Sequence, residues 1–155
     1  MSTLLAVDLG VKTGLALYAR DGRLKWYRSR NYGNAPRLRR GVQGLLGELD
    51  DLSAVVLEGG GTLADIWQHE AERRNIATRR ISAEVWRSTL LHPREQRTSV
   101  RAKQTAADLA RRVIEWSQAR RPTSLRHDAA EAILIGLWGV LELGWLSQLP
   151  QALRR

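Results

Sequence analysis

Residues 4–10, LLAVDLG, decide the fold class of this chain. A short, unbroken apolar run such as Leu4–Val7 is typical of a central strand that is buried on both faces of a sheet, and here the run ends at a carboxylate, Asp8. Residues 53–58, SAVVLE, repeat this arrangement and end at Glu58. The sequence therefore predicts two buried strands, each closed by a single acidic residue.

The segments around these strands alternate between strand-like and helical patterns. Residues 15–19 and 24–30 are strand-like and flank an Asp-Gly pair, which predicts a β-hairpin. The other predicted elements are a helix that begins at Pro36, a helix capped by Thr62, a short edge strand at 77–82, a helical turn or two at 83–91, a helix through 102–116, and a last helix from about Asp128 to Leu143. This order predicts an α/β fold with a mixed five-stranded sheet flanked by helices, and we expect residues 1–155 to form a single domain.

The composition limits the classes of protein to which the chain can belong. Its 155 residues are 43% hydrophobic, which is enough for a core, and they include no cysteine, which excludes disulfides, thiolate zinc sites and cysteine nucleophiles. No apolar run approaches the ~18 residues of a membrane helix, and the first ten residues lack the basic start of a signal peptide. We therefore expect a cytoplasmic protein that does not associate with membranes.

The charge of the chain indicates a polyanionic partner. Lysine and arginine together number 25 against 16 acidic residues, the net charge is +9, and 22 of the 25 basic residues are arginine. Because arginine binds phosphate through a bidentate fork, this composition favours nucleic acid over a membrane or an acidic protein. The candidate phosphate-binding arginines lie at the start of the first helix and in and beside a later basic loop: Arg37, Arg40, Arg94, Arg97 and Arg101.

The acidic residues that close the two buried strands form part of a candidate metal site. If the strands are adjacent and parallel, Asp8 and Glu58 meet at the sheet edge where α/β proteins bind ligands. Two such carboxylates repel each other, and a divalent cation such as Mg²⁺ removes the conflict. Asp128 and Glu131 are three residues apart, so both can face one point from a helix, although their spacing also fits a capping box that needs no metal. Four such carboxylates suit a two-metal phosphodiesterase.

The order of these motifs resembles the RuvC family of Holliday-junction resolvases, whose fold is that of the RNase H-like (retroviral integrase) superfamily. The resemblance covers almost the whole chain: Asp8 after an apolar strand, then a β-hairpin, Glu58 at the end of the fourth strand, and two acidic residues at the start of a late helix. Residues 127–139, HDAAEAILIGLWG, and 82–87, SAEVWR, followed by a basic loop and Lys103, are similar to the short RuvC-like resolvases of phages and prophages.

This resemblance implies a homodimeric endonuclease that nicks two opposed strands of a four-way DNA junction and leaves 5′-phosphate ends. It implies Mg²⁺ as the cofactor, with Mn²⁺ expected to substitute, and a nucleoid-associated protein. Any branch-migration helicase partner is not identified by the sequence. The implied catalytic metal ligands are Asp8, Glu58, Asp128 and Glu131, and Lys103 is an implied phosphate contact.

Two features depart from the better-known members of that family. The last acidic residue is Glu131, where the bacterial resolvases have aspartate, although glutamate is usual in the phage-like group. The loop after Glu58 is Gly59-Gly60-Gly61 and carries no aromatic wedge; the chain has no phenylalanine, and the spacing of Trp67 assigns that residue to the core. The sequence therefore does not indicate how a junction would be opened, nor a preferred cleavage sequence.

Two other functions fit the same residues. One is an RNase H-like nuclease that acts on RNA, on an RNA–DNA hybrid or on another branched DNA, and the other is a junction-binding module without catalysis, against which the presence of all four acidic residues argues. His127 adjoins the implied ligands and is a candidate contact to metal or water. The apolar C-terminal helix, with Trp138 and Trp145, is a candidate for a dimer interface.

Overall fold

The computed structural model describes residues 2–155, in which five strands and five α-helices follow one another in the predicted order. The strands are β1 (Thr3–Asp8), β2 (Lys12–Ala19), β3 (Leu24–Asn31), β4 (Leu52–Glu58) and β5 (Ala77–Ile81). The helices are α1 (Ala35–Glu48), α2 (Gly61–Arg73), α3 (Ala83–Leu90), α4 (Ser99–Ser117) and α5 (His127–Glu142), with short 3₁₀ helices at Pro93–Gln96 and Gln151–Leu153. The predicted α/β fold is confirmed.

The sheet is mixed, and its strand order is β3-β2-β1-β4-β5. The hairpin strands are antiparallel to β1 and to each other, whereas β1, β4 and β5 are parallel. Asp8 pairs with Glu58 in the register of β1 and β4. Adjacent parallel strands therefore bring these two acidic residues side by side at one edge of the sheet, and β5 is an edge strand as predicted.

Helices cover both faces of the sheet and divide the core in two. Leu4 and Ala6 face a core built with α3, α4 and α5, whereas Leu5 and Val7 face a second core built with α1 and α2. All four side chains are fully buried. This two-sided burial explains why β1 shows an unbroken apolar run rather than alternation. Trp67 is also fully buried in the second core, as its spacing predicted.

Helix α5 crosses the sheet and is buried from Ala129 to Val140. Its apolar surface is therefore buried within the chain, and Trp138 is only 7% exposed. Trp145 packs against the same core, with the guanidinium of Arg20 over its ring. The core of a single chain thus accounts for the apolar character of this helix, and the predicted role of the helix, Trp138 and Trp145 in a dimer interface stays a prediction.

A glycine in β2 allows α5 to approach the sheet. Gly14 pairs with Asp8 across β1 and β2, and a β-carbon at this position would overlap the backbone oxygen of Asp128. Any larger residue would push the start of α5 away from β1. Gly14 thus sets the separation between the acidic residue of the strand and those of the helix.

The start of α2 differs from the prediction. The helix begins at Gly61 with Gly60 as its N-cap, and no side chain caps it, so the predicted cap by Thr62 is wrong. Gly59 and Gly61 have φ values of +121° and +75°, which favour glycine, and these turns let the helix begin earlier than a Thr62 cap would.

Within residues 2–155, no helix combines the length and hydropathy that crossing a membrane requires.

Candidate metal centre and its surroundings

Three carboxylates meet at the carboxyl ends of the central strands. Asp8 ends β1, Glu58 ends β4, and Glu131 lies near the start of α5. One side-chain oxygen of each residue lies within 4.8 Å of those of the other two. Glu131 is only 5% exposed, and Asp8 and Glu58 are half-buried. The cluster is therefore largely shielded from water by the strands and the helix that carry it.

The environment of this cluster makes full ionisation of its metal-free form costly. Burial, followed by the charges of Glu58 and Glu131, raises the pKa of Asp8 to about 9. Two or three carboxylates in so small a space cannot all carry charge without a compensating cation. The electrostatics of the cluster therefore favour either a retained proton or a bound cation.

The cluster fits a divalent cation of the Mg²⁺ class. Its donors are carboxylate oxygens, which are the ligands that Mg²⁺ prefers. No cysteine occurs in the sequence, and Nε2 of His127 contacts Glu131 at 2.8 Å. The oxygen donors fit Mg²⁺, a bound cation would relieve the repulsion among the carboxylates, and Mn²⁺ accepts the same kind of donor.

Each of the glutamates is held by neighbouring side chains. The indole Nε1 of Trp86 donates a hydrogen bond of 2.8 Å to Oε1 of Glu58. The guanidinium of Arg87 donates to Oε1 of Glu131 at 3.1 Å, and Nε2 of His127 lies 2.8 Å from the same oxygen. Oε2 of Glu131 takes part in neither of these contacts. Adjacent residues of α3 therefore orient one acidic residue from β4 and one from α5.

Asp128 lies beside this group of three rather than within it. Its Oδ2 accepts a hydrogen bond of 2.8 Å from the hydroxyl of Ser29 in β3, and its Oδ1 accepts from the backbone N–H of Ala129. Its charge still contributes to the raised pKa of Asp8, so it belongs to the same electrostatic environment. Of the four implied ligands, the structure thus brings three together and places the fourth next to them.

The capping-box interpretation of Asp128 and Glu131 is wrong. Helix α5 begins at His127, its N-cap is Arg126, and no side chain caps it. Asp128 is therefore the second residue of the helix, and the carboxylate of Glu131 contacts Arg87 and His127 instead of reaching back to the helix start. The two acidic residues are left available for another role.

The predicted phosphate-binding residues all lie on the surface. Arg37 and Arg40 are exposed on α1, Arg94 and Arg97 are exposed in and after the 3₁₀ helix at Pro93–Gln96, and Arg101 and Lys103 are exposed near the start of α4. The Pro93–Gln96 segment is anchored by Arg155, whose guanidinium bonds to Glu95 at 2.7 Å. These side chains can therefore reach a ligand in solvent.

We expect the Trp86→Phe variant to weaken the metal site by removing the hydrogen-bond donor to Glu58 while keeping an aromatic ring in the core. Loss of a group that orients a metal ligand lowers metal affinity or activity by roughly 10–100-fold. The measurement is the affinity of the chain for Mg²⁺, or for Mn²⁺ in its place, by calorimetric titration. Trp138→Phe is the matched control, since Trp138 is also buried but stacks on Arg79 rather than on an acidic residue. An equal shift in both variants would contradict an orienting role for Trp86.

Comparisons with known proteins bear on the fold. The sequence matches no protein-family model and no curated protein sequence at a significant level. Among solved structures, the chain is similar to T. thermophilus RuvC in complex with a Holliday junction substrate, with a TM-score of 0.64, 16% sequence identity, and coverage of 93% of this chain and 97% of that chain. This likeness confirms the predicted architecture: the mixed five-stranded sheet and its helices form a RuvC-like, RNase H-like fold.

Proposed function

We propose that this chain is a metal-dependent endodeoxyribonuclease that resolves four-way DNA junctions by paired nicks and leaves 5′-phosphate ends. The observation that carries the proposal is the cluster of Asp8, Glu58 and Glu131, whose oxygens lie within 4.8 Å of one another at the edge of a RuvC-like sheet. The similar RuvC structure contains a Holliday junction substrate. The net charge of +9 supports a polyanionic substrate.

In this proposal the acidic residues would bind the metal, and the basic residues would bind the phosphates of the substrate. Asp8, Glu58, Glu131 and the adjacent Asp128 would hold Mg²⁺, or Mn²⁺ in its place. When bound, such ions activate water and stabilise the leaving oxygen of a phosphodiester. Trp86 keeps one oxygen of Glu58 in position. Surface arginines and Lys103 bind the phosphates through charge-assisted hydrogen bonds.

We further propose that the active form is a homodimer and that the chain is of the short phage-type class of RuvC-like resolvases, as a single nuclease domain. Two symmetric nicks across a junction require two active sites, and a two-fold dimer supplies them. Because α5 is buried from Ala129 to Val140 within one chain, a dimer contact in this region would use the partly exposed residues that follow it, such as Leu143 and Trp145.

The test is cleavage of a synthetic four-way junction in parallel with duplex, flap and RNA–DNA hybrid substrates, with no metal, Mg²⁺ or Mn²⁺. We expect metal-dependent paired nicks in the junction and little cleavage of the duplex, by a species that light scattering identifies as a dimer on the junction. Preferential cleavage of the hybrid would instead favour another RNase H-like activity. Tight junction binding without nicking under any metal would favour a non-catalytic module, and a monomer on the junction at micromolar concentration would reject the dimer.

A further inference from the structure

We propose that a basic groove beside the acidic cluster binds an unpaired DNA strand. The groove lies between the edge strand β3 and the linker that joins α4 to α5, and it has a volume of about 840 Å³. We call it the β3 groove; its lining residues are 25–28, 120–124 and Arg126. The proposal extends the proposed function, from which it takes DNA as the ligand. None of the predicted phosphate-binding residues lines this groove.

The charged residues that line the β3 groove are all basic. Five of its lining residues are basic, and no acidic residue is among those that line it within the described chain. The only ion pair that any of the five makes, among residues 2–155, joins Arg121 to Glu115 at 3.8 Å, and both of these side chains are largely exposed. Cations gathered with a single exposed acidic partner repel one another, and a bound polyanion relieves that repulsion.

Protection of a sheet edge does not explain this charge. Exposed edge strands often carry lysine or arginine because these residues discourage pairing with another chain, and that account covers Lys25 and Arg28 of β3. It does not cover Arg120, Arg121 and Arg126, which come from the linker on the other wall of the groove. Basic residues on both walls indicate an anion held between them.

The position of the β3 groove relates it to the acidic cluster. Ser29, which follows the groove residue Arg28, donates its hydrogen bond to Asp128. On the opposite wall, Arg126 precedes Asp128 by two residues. Both walls therefore adjoin Asp128, which lies beside the acidic cluster. A DNA strand bound in the groove would extend toward that cluster.

The surface of the groove suits an unpaired strand better than a duplex. Tyr27 lies on the face of the sheet that carries the linker, packs against the core beside α4 and α5, and donates a hydrogen bond from its hydroxyl to the backbone oxygen of Arg120. Trp26 lies on the other face of the edge strand β3, where the guanidinium of Arg28 lies over its ring, 4.1 Å from its centroid. Aromatic rings and a stacked guanidinium offer flat surfaces for the faces of unpaired bases. In a duplex these faces are covered by neighbouring base pairs. The groove thus offers charge for the phosphates and flat surfaces for the bases.

The test measures binding of a fluorescent dT oligonucleotide of about 12 residues to the full chain without metal, over a series of salt concentrations. The groove variant carries Arg120→Gln and Arg126→Gln. Its control, Arg111→Gln with Arg112→Gln, removes the same charge from exposed positions on α4 that do not line the groove. Because each phosphate contact to a single strand contributes about 0.7 to the salt slope, we expect the groove variant to lose about 1.4 from that slope and about tenfold or more in affinity at ~0.1 M salt.

The outcomes separate this proposal from the proposed nuclease. An equal loss of affinity in the control variant, or no loss in the groove variant, would overturn the groove while leaving junction cleavage untouched. Tighter binding of duplex DNA or of the matching RNA would overturn the assignment to unpaired DNA. Conversely, a groove variant that loses affinity in a chain that cleaves no junction would support the groove and reject the nuclease.

Discussion

The Asp8→Asn variant is expected to lose at least about 100-fold in metal-dependent cleavage while it binds a four-way junction as tightly as the parent chain. Asp8 is one of the three residues of the cluster, where its charge would balance that of a bound cation, and an amide is a poor ligand for Mg²⁺. A catalytic metal contributes several kcal/mol to transition-state stabilisation, which sets the size of the loss. Under the proposed function, junction affinity is expected to come from the basic surface, which this substitution leaves unchanged.

The same variant should change how stability depends on pH. In the folded, metal-free chain the pKa of Asp8 is about 9, above its ordinary value of 3.8. A pKa that is raised by folding gives stability that is fully present below about pH 4 and is lost as the pH rises toward 9. In EDTA, the Tm of the parent chain should therefore fall across this window, whereas that of Asp8→Asn should fall less and lie higher at pH 7. Mg²⁺ should raise the Tm of the parent chain more than that of the variant.

Asp108→Asn is the matched control for both measurements, because it makes the same chemical change at an exposed position on α4, 4.0 Å from Arg111. It should leave cleavage and the pH profile of the Tm unchanged. An Asp8→Asn protein that cuts junctions at the parent rate would remove Asp8 from the active site. An unaltered pH profile would show that its carboxyl does not titrate as the buried cluster requires.

The features that the sequence predicts well are local. The apolar runs of β1 and β4, their terminal acidic residues and the Asp-Gly hairpin are all read from a few neighbouring residues, and parallel pairing then places Asp8 opposite Glu58. The local sequence is ambiguous at α5, where Asp128 and Glu131 fit either a capping box or metal ligands. The helix starts at His127, one residue before the predicted start, so Asp128 lies inside the helix and does not cap it. A difference of one residue at a helix start lies within the ordinary uncertainty of boundary assignment.

The residues that support the cluster could not be assigned because their contacts are distant in sequence. Trp86 reaches Glu58 across 28 residues, Arg87 reaches Glu131 across 44, and Ser29 reaches Asp128 across 99. No periodicity or spacing within α3 or β3 indicates these partners, since they depend on how helices pack on the sheet. Composition likewise indicated an anionic partner without showing that residues of β3 and of the α4–α5 linker line one groove.

The Asp128→Asn variant tests whether the centre uses four acidic residues or three. Asparagine can keep both contacts of the native side chain: its carbonyl oxygen can accept from the N–H of Ala129, and its amide can donate to the hydroxyl of Ser29. Folding stability should therefore change little, while the negative charge is lost. If Asp128 completes a two-metal centre, cleavage should fall by at least about 100-fold.

The Ser29→Ala variant tests how much of the effect on cleavage comes from the orientation of Asp128 rather than from its charge. This variant keeps the carboxylate and its contact with the N–H of Ala129 and removes only the 2.8 Å hydrogen bond from Ser29, so it should lower cleavage by roughly 10-fold, the lower end of the range for loss of a group that orients a metal ligand. Single-turnover cleavage rates at saturating Mg²⁺ measure both effects. The charge of Asp128 lies close enough to the cluster to raise the pKa of Asp8, and a four-residue centre predicts that losing it costs far more than losing the Ser29 contact. Parent-like cleavage by Asp128→Asn would reduce the centre to Asp8, Glu58 and Glu131, the three residues whose oxygens already lie within 4.8 Å of one another.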